Sequence, residues 1–264
     1  MIAALRHWWF FRSTIHRLDE WRLHGVKLGV RDMSLPMKAV LVKGAYEAAE
    51  VAACSKVIRP GDRVLELGGA IGYIGLHCLI NCKAAAVVSV EANPDTASRL
   101  RQNYIRNGLT ASVIEAAVAE QEGPIEFNVG SDFWADGIAT SGEGRRNIQV
   151  PGRTFEQLWN QTTPRPNVLI SDIEGAETIL PWAALPASVE RIIIELHPRA
   201  YGTAKTFHLL KTMMDAGFSV VFSAADVFAL ERHPSFSELP QTVTRGTREQ
   251  KPIANVSNFT QLIS

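Results

Sequence analysis

Residues 63–72 read RVLELGGAIG, a short apolar run that feeds a cluster of glycines. Arg63–Leu67 is expected to be a strand, and Gly68-Gly69-Ala70-Ile71-Gly72 a tight turn into a helix predicted over 72–82. Ahead of this stretch, residues 39–58 carry apolar positions at helical spacing until Pro60-Gly61-Asp62 breaks the pattern. Behind it, Ala85–Glu91 (AAVVSVE) has the β-branched, apolar character of a buried parallel strand. Asn93-Pro94-Asp95 then opens another helix. Asn93 suits the N-cap, Pro94 the first turn and Asp95 the positive end of the dipole, while Asn107-Gly108 closes it.

The alternation continues outward. Ser112–Ala117 reads as a third strand, and Ile125–Val129 with Asn147–Pro151 as an antiparallel pair around a Gly-, Ser- and Asp-rich loop. Val168–Asp172 is a strand followed by a helix from about Ala176. Arg191–Leu196 (RIIIEL) is the most apolar strand, and helix 203–215 ends at Gly217. Phe218–Ser223 and Val227–Glu231 resemble a terminal hairpin. Helices between buried strands imply an α/β three-layer sandwich. Its sheet is expected to be mostly parallel, seven-stranded and Rossmann-like, with an antiparallel terminal strand. Residues 1–38 are expected to form a helical segment covering one domain that runs over 39–264.

Composition narrows the function classes. Lys+Arg and Asp+Glu balance at 27 each, so no global field draws the chain to nucleic acid. Three cysteines, an odd and sparse set, suit a reducing cytoplasm rather than a disulfide scaffold. Cys78 and Cys82 beside His77 lack two further ligands at metal spacing, so no metal site is expected. No apolar stretch is long enough for a membrane span, and the aromatic-basic N-terminus (Trp8, Trp9, Phe10, Phe11 among arginines) lacks the h-region of a signal peptide.

In such sheets, ligands sit beyond the carboxyl ends of the strands. A dinucleotide turn needs G-x-G-x-x-G, but here Ala70 and Tyr73 occupy the second and third glycine places. The run fits instead the E-x-G-x-G-x-G pattern of turns that bind S-adenosylmethionine (SAM). Glu66, Gly68 and Gly72 are in place, and Ala70 stands for the middle glycine. A carboxylate at Glu66 would repel a pyrophosphate but suits a cationic ligand. Glu91 ends the second strand, where a carboxylate can accept both ribose hydroxyls. Ala116, Ala117 and Val118 would rim an adenine.

These residues, with others in order, resemble the FkbM family of SAM-dependent methyltransferases over about residues 40–232. Gly44-x-Tyr46-Glu47 precedes the first strand, and Val64-Leu65-Glu66-Leu67-Gly68 is the SAM turn. Val90-Glu91-Ala92-Asn93-Pro94 looks like the family's E-P-N-P segment, with Ala92 in place of the first proline. Asp172-x-Glu174-Gly175-x-Glu177 matches its D-x-E-G-x-E signature, and Ile194-Glu195-Leu196-His197 its following strand end. The resemblance implies a class I methyltransferase fold with SAM as cofactor. It places Tyr46, Glu47, Glu66, Gly68, Gly72, Glu91, Ala92, Asn93, Ala117 and Asp172 around SAM.

The resemblance implies methyl transfer to a hydroxyl of a small molecule, natural product or glycan. The protein must align the nucleophile with the methyl group and remove a proton. His197, with an intrinsic pKa near neutrality, is the expected base, with Asp172 and Glu174 as its catalytic neighbours. Helix capping is the competing role for Asp172, Glu174 and Glu177. The long loop 130–146, with Phe133, Trp134, Arg145 and Arg146, is expected to be a lid over the substrate. The alternatives are an NAD-dependent oxidoreductase, an RNA methyltransferase and a SAM-binding protein without catalysis.

Overall fold

The computed structural model describes residues 14–129 and 146–233. Contacts divide the chain into Met1–His233 and Pro234–Ser264, and everything described belongs to the first unit. Residues 130–145 of the expected lid (130–146), most of the aromatic-basic N-terminus and the tail from Pro234 lie outside the described residues.

Seven strands form the central sheet: β3 (Arg63–Leu67), β4 (Ala86–Glu91), β5 (Ser112–Glu115), β9 (Val168–Ser171), β10 (Arg191–Glu195), β11 (Phe218–Ala224) and β12 (Val227–Arg232). Their order is β11-β12-β10-β9-β3-β4-β5. The run from β10 through β5 is parallel throughout. The last strand, β12, is antiparallel to both of its neighbours and sits between β10 and β11. The expected α/β sandwich with one antiparallel strand is therefore what the chain adopts. From β3 the chain steps first toward β5 and later returns to β9 on the other side. The order thus reverses between β3 and β9, where a crevice opens at the carboxyl ends.

Period-two alternation explains the two buried faces. Val64, Val168, Ile170 and Ile193 point into one cluster, with Tyr73 and Leu76 of α3 (Tyr73–Ile80) and Leu100 of α4 (Pro94–Arg106). Leu65, Leu67, Leu169, Ile192 and Ile194 point into the other, with Leu158 and Trp159 of α5 (Phe155–Gln161) and Leu209 and Met213 of α6 (Thr203–Asp215). A side sheet of β6 (Ala117–Val118), β8 (Arg146–Arg153) and β7 (Gly123–Val129) extends the site end. The predicted antiparallel pair is β7 with β8.

Three expectations are corrected. The helix over 39–58 is two helices, α1 (Leu35–Val42) and α2 (Ala48–Val57), because Gly44 and Glu47 adopt φ of 70° and 50°. Part of the expected N-terminal helical segment is a hairpin of β1 (Glu20–Leu23) and β2 (Val26–Gly29). Asn103 of α4 and Asn107 at its C-terminal cap hold that hairpin by accepting from the N–H groups of Gly29 and Lys27, each at 2.9 Å. The segment from Ala176 to Ile179 is a short 3-10 turn rather than a full helix.

Candidate active site

A cavity of about 520 Å³ opens over the carboxyl ends of β3, β4, β9 and β10. Pairing in register brings those ends together, with Leu67 opposite both Val90 and Ser171. Of the residues expected around the cofactor, the wall holds Tyr46, Glu47, Gly68, Glu91, Ala92, Ala117 and Asp172. Glu174 lines it too, and so do Glu50 and Glu195, which the sequence reading missed. Glu195 was within a quoted motif. Glu50 sits one helical turn beyond Glu47, a spacing that could have shown it.

Backbone geometry shapes the near side. Gly68 has φ of 86°, and a Cβ there would stand 1.7 Å from the carbonyl oxygen of Asp172. Only glycine lets the ends of β3 and β9 approach this closely. Ala70 takes a left-handed φ of 42°, and its N–H donates to Glu91 Oε2 at 2.8 Å. Glu91 Oε1 accepts from the N–H of Asn93 at 2.8 Å. The turn and the strand end thus fix the carboxylate between them.

Three residues expected at the cofactor are absent from the wall. Glu66 faces the opposite side of the sheet from its neighbours Leu65 and Leu67. There its carboxyl, 2% exposed, accepts from Ser89 Oγ under α3. Burial first, then the charges of Glu91 and Asp172, overcome the Ser89 and Gly75 hydrogen bonds and push Glu66 up to about 8. It is therefore a buried acid of the core. Gly72 is the N-cap of α3, and a Cβ there would meet Leu100 at 2.8 Å, so it serves helix packing. Asn93 caps α4, its Oδ1 accepting from Asp95 N at 2.9 Å and Thr96 N at 3.4 Å.

The far side is acidic. Burial and then the charge of Glu174, opposed by His197, push Asp172 up to about 7. Burial, the charge of Asp172 and a hydrogen bond with Glu50 push Glu195 up to about 8. Burial followed by the charges of Asp172, Glu50 and Glu195 holds Glu47 well above the usual carboxylate range. His197 stands behind the wall. Its Nε2 lies 3.5 Å from Asp172 Oδ1 and 3.4 Å from Glu174 Oε2, and its Nδ1 lies 3.1 Å from Glu177 Oε1. Burial disfavours the imidazolium, but the hydrogen bond to Glu177 and the charges of Glu177, Asp172 and Glu174 outweigh it and raise His197 to about 9. These acids favour the protonated ring, which sets His197 apart from the base expected of it.

Two groups have spacings that a cation could bridge: Asp172, Glu177 and His197, and Glu47, Glu50 and Glu195, each within 4.8 Å. No described helix is long and apolar enough to cross a membrane.

Comparison with known proteins places the chain among methyltransferases. The chain is 32% identical over 127 residues to the hexuronic acid methyltransferase AglP of Haloferax volcanii, across 47% of this chain and 52% of that one. It is 48% identical over 63 residues to the protein-L-isoaspartate O-methyltransferase of Methanoculleus marisnigri, across 24% of this chain and 27% of that one. The chain thus spans about half, or less, of the length of these curated relatives. Among solved structures, M. capricolum TrmK in complex with S-adenosyl-homocysteine aligns over 69% of this chain and 65% of its own, at 10% identity and a TM-score of 0.38. The signature of the methyltransferase FkbM domain matches residues 72–220, from the end of the glycine turn to β11. That is more than half of the 264 residues, and the chain belongs to the FkbM methyltransferase domain family.

Proposed function

We propose that this chain transfers the methyl group of SAM to a hydroxyl oxygen of a sugar or other small molecule. One observation carries the choice of cofactor. The cavity wall holds the carboxyl groups of Glu47, Glu50, Glu91, Asp172, Glu174 and Glu195, and no lysine, arginine or histidine among the described residues. A sulfonium and an ammonium suit that wall, whereas the pyrophosphate of NAD or a nucleic-acid backbone would be repelled by it. The cavity is of a size that buries such a ligand.

Glu91 is placed to hold the ribose, and Ala92, Ala117 and Phe127 form an apolar rim suited to the adenine. Gly68, Ala70 and Asp172, with Tyr46 and Glu47, are left for the methionine end. When bound, SAM supplies an electrophilic methyl group on its sulfonium. Asp172, at about 7, is half ready to accept a proton at neutral pH and takes the one that leaves the acceptor hydroxyl. The His197 imidazolium beside it favours the ionised carboxylate. The acidic wall favours a neutral sugar over a hexuronate, although the Haloferax relative is a hexuronic acid methyltransferase.

Calorimetry tests the cofactor, and label transfer from SAM to panels of neutral sugars and hexuronates tests the acceptor. SAM should bind and NAD should not, and Glu91→Ala should weaken SAM by about 10- to 100-fold, the loss of charge-assisted hydrogen bonds. Binding of NAD without SAM would overturn the reading.

A further inference from the structure

We infer that Glu177, which lies outside the cavity wall, is the positioning residue of this site: it holds His197 with Nε2 turned toward Asp172 and Glu174. The inference rests on the reading of Asp172 as the proton acceptor. Glu177 enters the 3-10 turn after β9, and its side chain is 0% exposed. Its Oε1 accepts from the N–H of Ile173 at 3.0 Å and from His197 Nδ1 at 3.1 Å. Its own carbonyl oxygen accepts from Trp182 Nε1 at 2.7 Å, which fixes the residue from the other side. One oxygen therefore ties the end of β9 to the residue beyond β10.

The second carboxylate oxygen tells the role. Glu177 Oε2 is buried without a hydrogen-bond partner. An unsatisfied carboxylate oxygen in the interior is costly, and a neutral amide could accept from Ile173 at less cost. The carboxylate is kept against that cost because it faces the His197 ring and accepts from its Nδ1–H. The backbone of His197 is held independently, its N–H donating to Tyr201 Oη at 2.7 Å. What remains to be set is ring orientation and protonation, and Glu177 sets both, much as a carboxylate orients a histidine in other sites. The charged or titratable groups facing the ring are Asp172 and Glu174 from the end of β9, Glu177 after it, Glu195 on its own strand, and Tyr201 in the following turn. Asp172 and Glu174 lie against Nε2, so Glu177 is the acid among them that meets Nδ1.

The experiment follows the ring nitrogens of His197 by two-bond nitrogen–proton spectra of the full-length labelled chain, from about pH 6 to 10, with His197→Gln giving the assignment. In the unsubstituted chain the ring should carry both protons at neutral pH. In Glu177→Gln the titration midpoint should fall by about one pH unit or more, and the ring should be neutral at pH values where it was charged. A merely structural Glu177 would lower the melting temperature and leave the midpoint in place, and that result overturns the inference. If the Gln variant does not fold, Glu177→Asp decides the matter, because its retracted carboxylate should also lower the midpoint and an unmoved midpoint again overturns it. SAM calorimetry on the same samples keeps the two readings apart. Failure of the unsubstituted chain to bind SAM removes the methyltransferase reading, while the titration still judges Glu177.

Discussion

Among the described residues, the positive-φ positions outside glycine are His24, Glu47, Ala70, Lys83, Glu174 and Ala225, and four of them line the cavity. Strained backbone concentrates where side chains must be aimed at a ligand. Ala70 is the clearest case, since a Cβ at φ of 42° costs about 1 kcal/mol that glycine would avoid. Ala70→Gly should therefore raise stability by about 0.5–1 kcal/mol in urea unfolding. Gly68→Ala should cost about 3 kcal/mol, because the new methyl overlaps the Asp172 carbonyl. A Gly68→Ala chain as stable as the parent would mean that β3 and β9 do not meet this closely. The departure at position 70 was plain in the sequence. The protonation of His197 was not, because Asp172, Glu174 and Glu177 reach it from a strand end some twenty residues earlier and only folding brings them together.

At the scale of elements, long periodic stretches were legible and short ones were not. The helix at 203–215 and its stop at Gly217 follow from periodicity and a glycine cap, and the glycine turn marks the site end of β3. The β1–β2 hairpin offers only Val26 and Leu28 in alternation, too few to betray a strand, and it is held by asparagines eighty residues away. The end of the sheet opposite the site depends on a similar distant pairing. Asp62, just before β3, accepts from both Arg191 Nη1 at 2.6 Å and Nη2 at 3.0 Å, from Arg59 N at 2.7 Å and from Asn167 Nδ2 at 2.9 Å. Arg191 is 3% exposed and without Asp62 keeps only the more exposed Glu190 carboxylate and the Val57 carbonyl, so much of its buried charge loses its pairing. Asp62→Ala should cost about 3–5 kcal/mol while leaving SAM affinity per folded molecule unchanged, because the pair lies at the far end of the strands. A combined melting and calorimetry measurement checks both halves. Weakened SAM binding in a fully folded variant would show that the two ends are coupled.

For the whole molecule, the buried acids predict a direction of stability with pH. Glu66 sits at about 8 in the folded state, above its value of about 4.3 in an unfolded chain. Between those values the folded state keeps a proton that the unfolded state has lost, so stability falls as pH rises through that window. Glu195, also at about 8, adds the same slope. His197, raised to about 9, stabilises fully below about 6.5 and loses that contribution as pH rises toward 9. His77 has the opposite sign. Burial, and then the charge of His24, lower it to about 4, so its contribution is present above about 6.5 and lost in acid. Above pH 6.5 nothing from His77 offsets the others, and the melting temperature should fall steadily between about pH 6.5 and 8. Glu66→Gln isolates one part of this slope, because the amide has no proton to lose and keeps the shape of the side chain. Its free energy of unfolding should be less steep than the parent's by up to about 1.4 kcal/mol per pH unit across that range. Unfolding curves at several pH values, run on both chains, supply the comparison. Parallel slopes would mean that Glu66 is ionised in the folded core, held there by Ser89 and the Gly75 N–H.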